Sequence, residues 1–435
     1  MASVVARALV TVDAEKASKQ DLELLKKLVM EFKDELDALG VKVDSLDKRV
    51  AVLEENLGGW KLYGELYFDA QFFDSDDTTG NAGMDSDFGF GRARFFLGKQ
   101  ISETTSMLAR INTHSDSHFV WDRLYVDTKL PWDIDFRFGR FNFDWESDLG
   151  LYDPYTVNND ATFGDWDLDG FQFVKHWGNF SFTGIVGRNN DNYTYADNAY
   201  ILDAENYMTY AAKLGYDAEN WMLGVMGYWM KGDNGDGVII TDGTTRTLIP
   251  NADVNTYGVY AGYSFTPAIQ LKGVYYFQDI DDNFVSPIYG ALGNKEDSPT
   301  SWKAILDVKQ DLLKFTALWI EYGQQDNTFI GTNSYDYMGG NEMANNPFDD
   351  NTASILNIIA NQQWNDQWST YIRYWQADWD SNLSDDTENW TIGVRYQYTP
   401  AIQFKLEYDM IDYGDFGTQY TGDDNVIRFR TTVNF

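Results

Sequence analysis

The chain has 435 residues, with 33 Lys plus Arg against 68 Asp plus Glu, a formal net charge of −35, and no cysteine. That acidity argues against nucleic acid as a partner, because phosphate binding needs a basic face, and the missing thiols exclude disulfide frameworks, thiolate metal sites and cysteine nucleophiles. Aromatic residues make up 16 % of the chain, a load that suits a barrel with an apolar outside and Trp and Tyr at both rims.

Residues 1–19 read as a short apolar helix, ASVVARALVTV, and a polar link, expected to be the end of an upstream domain. Alone it is too small to bury a core. Residues 20–57 carry a heptad seam: Leu22, Leu25, Val29, Phe32, Leu36, Leu39, Val43, Leu46, Val50, Leu53 and Leu57, spaced three and four apart throughout. That period keeps one apolar stripe facing a partner as helices supercoil. Charges such as Lys26, Lys33, Glu35, Lys48 and Glu54 fill the other faces. The expectation is a coiled-coil stalk, about 55 Å long at 1.5 Å per residue. Its mixed Leu, Val and Phe seam leaves the number of helices open. Gly58 and Gly59 then end the helix.

From residue 60 to 435 the period is two, the mark of strands. In the first segment Trp60, Leu62, Leu66 and Phe68 fall on one face, and Lys61, Tyr63, Glu65, Tyr67 and Asp69 on the other. In the last, Ile427, Phe429, Val433 and Phe435 oppose Arg428, Arg430, Thr432 and Asn434. Eighteen such segments can be counted, or sixteen if one hairpin belongs to a loop. Most run about 10 to 13 residues, the length of a tilted membrane-crossing strand. Tight joints (LPW, WGN, DAEN, QDLL, NDQ) alternate with long polar stretches such as 143–168, 189–205 and 232–252. Short turns on one side and long loops on the other predict an antiparallel transmembrane β-barrel. TPAIQ occurs twice, in FTPAIQLKGVYYFQD and YTPAIQFKLEYDMID. It is read as a short-side turn, since proline sets φ and cannot donate to a ladder. Two places resist the pattern. Segment 219–231 is apolar on both faces, and Asp122 falls on the apolar face of 118–129, marking either a protomer contact or a register slip.

A barrel this wide conducts unless something folds inside it. The candidate is loop 143–168, with Asp144, Glu146, Asp148, Asp153 and Asp160. By alternation Arg92, Arg94, Arg110, Arg123 and Arg137 point inward as a basic wall. An acidic loop facing that wall would produce a transverse field at a constriction. The alternative is that the arginines pair with lumen acids and stiffen the barrel. Tyr63, Tyr67 and Tyr276 also face inward but form no contiguous aromatic slide. No GxSxG, P-loop or HExxH motif occurs, and His114 and His118 flank the turn SDS without a third ligand. No catalytic site, metal or cofactor is expected.

The order of elements, from MASVVARAL (with Met1, Ala2, Ala6 and Leu9 matching) through the coiled coil to an aromatic-ended barrel, resembles the OmpM-type S-layer-homology (SLH) porins of the outer membrane. Phe435, on an alternating last strand, is similar to the signal by which such barrels are recognised for insertion. The resemblance implies a homotrimeric porin in outer-membrane lipid with its stalk in the periplasm. It also implies an upstream domain gripping peptidoglycan or a related cell-wall polymer. The expected function is diffusion of small hydrophilic solutes and ions. A closed-barrel tether and a sugar-selective channel are the alternatives.

Overall fold

The computed structural model describes residues 59–75, 87–113, 119–155, 162–164, 166–189, 194–195, 202–203, 207–231, 237–241, 246–250, 253–281, 298–326, 329, 352–378, 386–412, 414 and 423–435. The heptad seam and the helix before it lie outside these residues.

Eighteen strands form one antiparallel sheet that closes on itself. They are β1 (Trp60–Ser75), β2 (Asp87–Ser102), β3 (Thr105–Thr113), β4 (Phe119–Leu130), β5 (Ile134–Phe143), β6 (Trp166–Trp177), β7 (Phe180–Asn189), β8 (Tyr207–Asp217), β9 (Trp221–Lys231), β10 (Asp253–Thr266), β11 (Ile269–Ile280), β12 (Thr300–Val308), β13 (Ala317–Asp326), β14 (Thr352–Gln363), β15 (Trp368–Asp378), β16 (Thr387–Thr399), β17 (Ile402–Asp412) and β18 (Asp423–Asn434). Each pairs with the next, and β1 pairs with β18 from Glu65↔Asn434 to Ser75↔Asp424. Closure leaves no sheet edge, which is how strands satisfy their backbone where no water can.

The even strand number brings both ends of the barrel to the short-turn side. There the Phe435 N–H donates to the Gly64 carbonyl at 3.0 Å, and the Gly64 N–H to the Phe435 carbonyl at 2.8 Å. The Phe435 ring meets Phe95 edge-on at 5.8 Å. Both TPA joints use one device. The ladder slips once before each, at Ser264/Thr266 and at Gln397/Thr399. The Thr266 and Thr399 hydroxyls then each accept the backbone N–H two residues on, at 3.2 Å. The repeated sequence is a repeated local solution.

Alternation sorts the residues as expected. On β11, Lys272, Val274, Tyr276, Gln278 and Ile280 are buried on the lumen side, while Leu271, Tyr275 and Phe277 are exposed outside. Three expectations change. The segment expected to run as a strand from 312 starts as a helical turn, Gln310–Leu313, ended by Lys314 at φ 68°, so that β13 begins only at Ala317. The stretches 189–205 and 232–252 are not wholly loop: Thr194–Tyr195, Leu202–Asp203, Gly237–Thr241 and Arg246–Pro250 pair into a small second sheet. The LPW joint shifts by one residue, to 131–133, with Trp132 and Asp133 both at positive φ (63° and 59°).

Candidate functional site

The loop after β5 enters the lumen because β5 leaves its neighbour. The β4–β5 ladder ends at Leu124↔Arg140. Just before that point Gly139 has φ 120°, and a Cβ there would lie 2.2 Å from the Leu124 carbonyl oxygen, so only glycine fits the bend. Beyond it Phe141 and Phe143 are buried.

The loop opens with α1 (Trp145–Asp148), whose N-cap Asp144 accepts the Ser147 N–H at 2.9 Å and the Tyr152 hydroxyl at 2.5 Å. Glu146 is its anchor. Fully buried, it accepts the Tyr276 hydroxyl at 2.7 Å and the backbone N–H groups of Thr162 and Phe163 at 3.1 Å, and it pairs with Lys303 at 2.7 Å. Asp148 lies 3.9 Å from Lys213, which also sits over the Trp145 ring. Asp153 accepts the Tyr155 N–H at 2.7 Å, and the Tyr155 carbonyl accepts Arg395. Asp160 lies outside the described residues. A segment joined to β5 and β6 thus touches inward side chains of β8, β11, β12 and β16. It lies across the lumen.

An apolar cluster seals one side of it. Phe143, Trp145, Leu151 and Phe163 pack with Tyr228, Tyr276, Trp319 and Phe329. Phe163 meets Tyr228 edge-on at 5.4 Å, and Phe143 stacks on Tyr228 at 5.6 Å. This explains the segment that was apolar on both faces. On β9, Met226, Tyr228 and Met230 point into the lumen and are buried in this cluster, while Trp221, Leu223 and Val225 face outward. A strand apolar on both sides marks where a barrel lumen is filled.

All five predicted wall arginines have carboxylate partners on the barrel strands. Arg92 and Arg94 share Glu65, at 3.9 and 3.2 Å. Arg110 grips Asp122 at 2.5 Å, Arg123 reaches Asp167 at 3.8 Å, and Arg137 meets Asp127 at 2.7 Å. Asp122 is the register slip. The ladder shifts between Arg110 and Ile111, leaving Asp122 as the extra residue and turning its carboxylate to the inward arginine, the re-aiming that a β-bulge performs. The best-anchored loop acid, Glu146, meets Lys303 on the far side instead. The pairing therefore favours the stiffening alternative for these arginines.

The wall continues where no site was expected. Arg430 pairs with Asp69 at 2.7 Å, Lys405 with Glu407 at 2.7 Å and Arg428 with Asp409 at 3.5 Å. Alternation alone placed these residues on the inward face. Their assembly with the arginines of β2 depended on barrel closure, which makes β18 and β1 neighbours. Tyr67 lies under Arg92 and Arg430, and Tyr276 under the loop, so neither is a free aromatic platform. At the short-turn end the wall borders a polar recess of about 500 Å³ lined by Gln100, Asp127, Lys129, Asp135, Arg137 and Gln172. Among the described residues no group of three or more His, Cys, Asp or Glu could hold a metal ion.

No family model matches the chain. A stretch of 176 residues, 34 % of the chain, is 27 % identical to an uncharacterized protein of Synechocystis sp., and the match spans about a third (32 %) of that relative's length. Among solved structures, Pseudomonas aeruginosa OccK3 superposes with a TM-score of 0.53 at 12 % identity, over 88 % of this chain and 97 % of that one. Pseudomonas aeruginosa OccK11 gives 0.50 at 12 % identity, over 86 % and 96 %. An anion-selective porin from Comamonas acidovorans covers 86 % and 99 % at 12 % identity, with a TM-score of 0.45. The chain thus has the architecture of outer-membrane porin barrels.

Proposed function

We propose that this protein is an outer-membrane diffusion porin for small hydrophilic solutes and ions, with loop 143–168 as its constriction. The observation that carries the reading is the asymmetric lumen. One side is filled by the loop, and the other keeps partly exposed charges, with Arg92 at 34 % and Arg94 at 20 % of their side chains accessible. A polar solute passing along that wall exchanges water for fixed, paired charges, which keep their positions as it moves. The first strand, β1, begins on the short-turn side, and a periplasmic coiled-coil stalk in residues 20–57 is part of the same proposal. Trimer formation and attachment of an SLH-like domain to the cell wall belong to the same proposal.

Planar-bilayer recording tests it. Stepwise stable conductance that closes in thirds supports an open trimeric porin, and shortening the loop within 147–162 should raise each step. A specific observation favours a rival: the apolar cluster already fills part of the lumen. Silent insertion of folded, heat-modifiable barrels would assign the protein to that rival, a closed tether.

A further inference from the structure

The recess at the short-turn end follows one rung of the barrel wall. Cross-strand register places Gln100, Ser106, Asp127, Arg137 and Gln172 side by side on β2 to β6, and all five line the recess. By alternation they share the inward face of Arg137. The next inward rung, one step away from the turns, holds Gly98, Leu108, Tyr125, Gly139 and Gly170. Three of these have no side chain, which leaves the upper side of the recess open on three strands. Its volume of about 500 Å³ is that of a small-molecule site. An aromatic ring stands at its edge. A Cβ on Gly98 would meet only Tyr63, at 3.9 Å. Tyr63 stacks one face on Phe96, with centroids 4.9 Å apart and planes 2° from parallel, and stays 43 % exposed.

The charges of the recess neutralise one another. Arg137 donates to both oxygens of Asp127, at 2.7 and 3.1 Å, and Lys129 lies 3.4 Å from Asp135 and 2.7 Å from Asp133. Glu103 adds a further carboxylate at the exposed rim, so no surplus positive charge draws an anion. Hydrogen-bonding capacity is left over. The side chains of Ser106 and Gln172 make no hydrogen bond with another described residue. Gln100 spends its amide N–H groups on the Ser102 and Thr105 carbonyls, at 2.6 and 3.1 Å, which leaves Oε1. Asp127 and Arg137 keep 41 % and 28 % of their side chains accessible. Donors and acceptors therefore alternate along one rung, about 4.8 Å apart, beside an open aromatic face. A sugar ring uses both features. Its neighbouring hydroxyls donate and accept together, and its C–H face packs on the negative face of an aromatic ring. A simple ion does not use the ring, and an apolar solute does not use the rung. We propose that this recess is a binding subsite for a neutral pyranose sugar, with Tyr63 as its stacking platform and Asp127, Arg137 and Gln172 as partners of the hydroxyls. The subsite deepens the porin reading by naming a solute class, and depends on it only for the route by which the sugar arrives.

Saturation-transfer NMR on the full-length protein, in a detergent without a sugar headgroup, tests binding apart from conduction. Maltose is the probe, sorbitol the open-chain control and gluconate the anionic one. Saturation should reach the ring protons of maltose and be severalfold weaker on both controls. Tyr63→Ala should weaken maltose binding about tenfold, and Gln172→Ala severalfold, with heat-modifiability showing that each variant is folded. Should Tyr63→Ala fail to fold, Gln172→Ala carries the test alone. In planar bilayers maltose should add brief blockades to the wild-type current and fewer to the current of a folded variant. Maltose that binds no better than sorbitol, or equally well to wild type and folded variants, overturns the subsite while steady conductance leaves the porin reading intact. Gluconate binding above maltose also overturns it and assigns the recess to anions. Maltose binding that is lost in the variants, together with silent bilayers, leaves the subsite standing and overturns the porin reading instead.

Discussion

On the β11–β12 side of the lumen Glu146 and Lys303 meet at 2.7 Å with 0 % and 2 % of their side chains exposed. Across the barrel Arg94 and Glu65 meet at 3.2 Å with 20 % and 21 % exposed. Both pairs arise from the same alternation of inward and outward side chains. The difference lies in what covers them. Loop aromatics exclude water from the first, so each charge depends on its partner and on added hydrogen bonds, here from Tyr276, Thr162 and Phe163. The second remains open to solvent, where a lost partner is replaced by water. One side of the lumen is packed like a protein core, and the other stays open to solvent.

Removing one partner on each side should expose that contrast most strongly. Lys303→Met leaves a buried carboxylate uncompensated, a loss of about 3–5 kcal/mol. Arg94→Met should cost no more than about 1 kcal/mol. Denaturant unfolding in detergent compares them, and equal losses would contradict a dry side. Lys303→Met should also make single-channel current noisier, because it frees the loop. Phe163→Ala tests the apolar half of the anchor. It empties a site ringed by Tyr228, Tyr276 and Phe329 and should cost about 3 kcal/mol, read as a fall in melting temperature without loss of barrel circular dichroism.

Arg110→Ala probes the middle ground, since Arg110 and Asp122 are 6 % and 11 % exposed. It should cost about 2–3 kcal/mol, and Asp122→Ala added to it should recover part of that loss. Strict additivity of the two would show that the bulge does not couple them.

The smallest effect belongs to the fully wet short-turn end. The Lys129 ammonium, hydrogen-bonded at 2.7 Å, holds the Asp133 carboxyl below its ordinary value, helped by Lys175. A lowered folded pKa contributes stability above the unfolded value of about 3.9, and that contribution disappears as pH falls through the folded value. Carboxyl titration followed by carbon NMR should show the depression in the wild type and its loss in Lys129→Met.

Much of the barrel was legible because period two needs no tertiary knowledge: residues that alternate in character alternate in direction. The strand count of eighteen, the short-turn and long-loop sides, and the inward direction of Arg92, Arg94, Arg123 and Arg137 all follow from it. The bulge at Asp122 was visible as a break in the pattern, but its partner was not. The double-faced apolar character of β9 was visible too, without its cause. The stalk at 20–57 and Asp160 remain expectations from sequence alone.

By itself, then, the sequence determined which residues share a face, where turns interrupt them, and that no thiol chemistry takes part. These are properties of neighbours along the chain. The tertiary structure decided what covers each face. Closure joined Arg430 to Asp69 across an interval of 361 residues, and the inward bend at Gly139 carried Glu146 to Tyr276, 130 residues away. Alternation gives a side chain its direction, but only the closed ring and the loop inside it determine whether that direction ends in water or in packed protein.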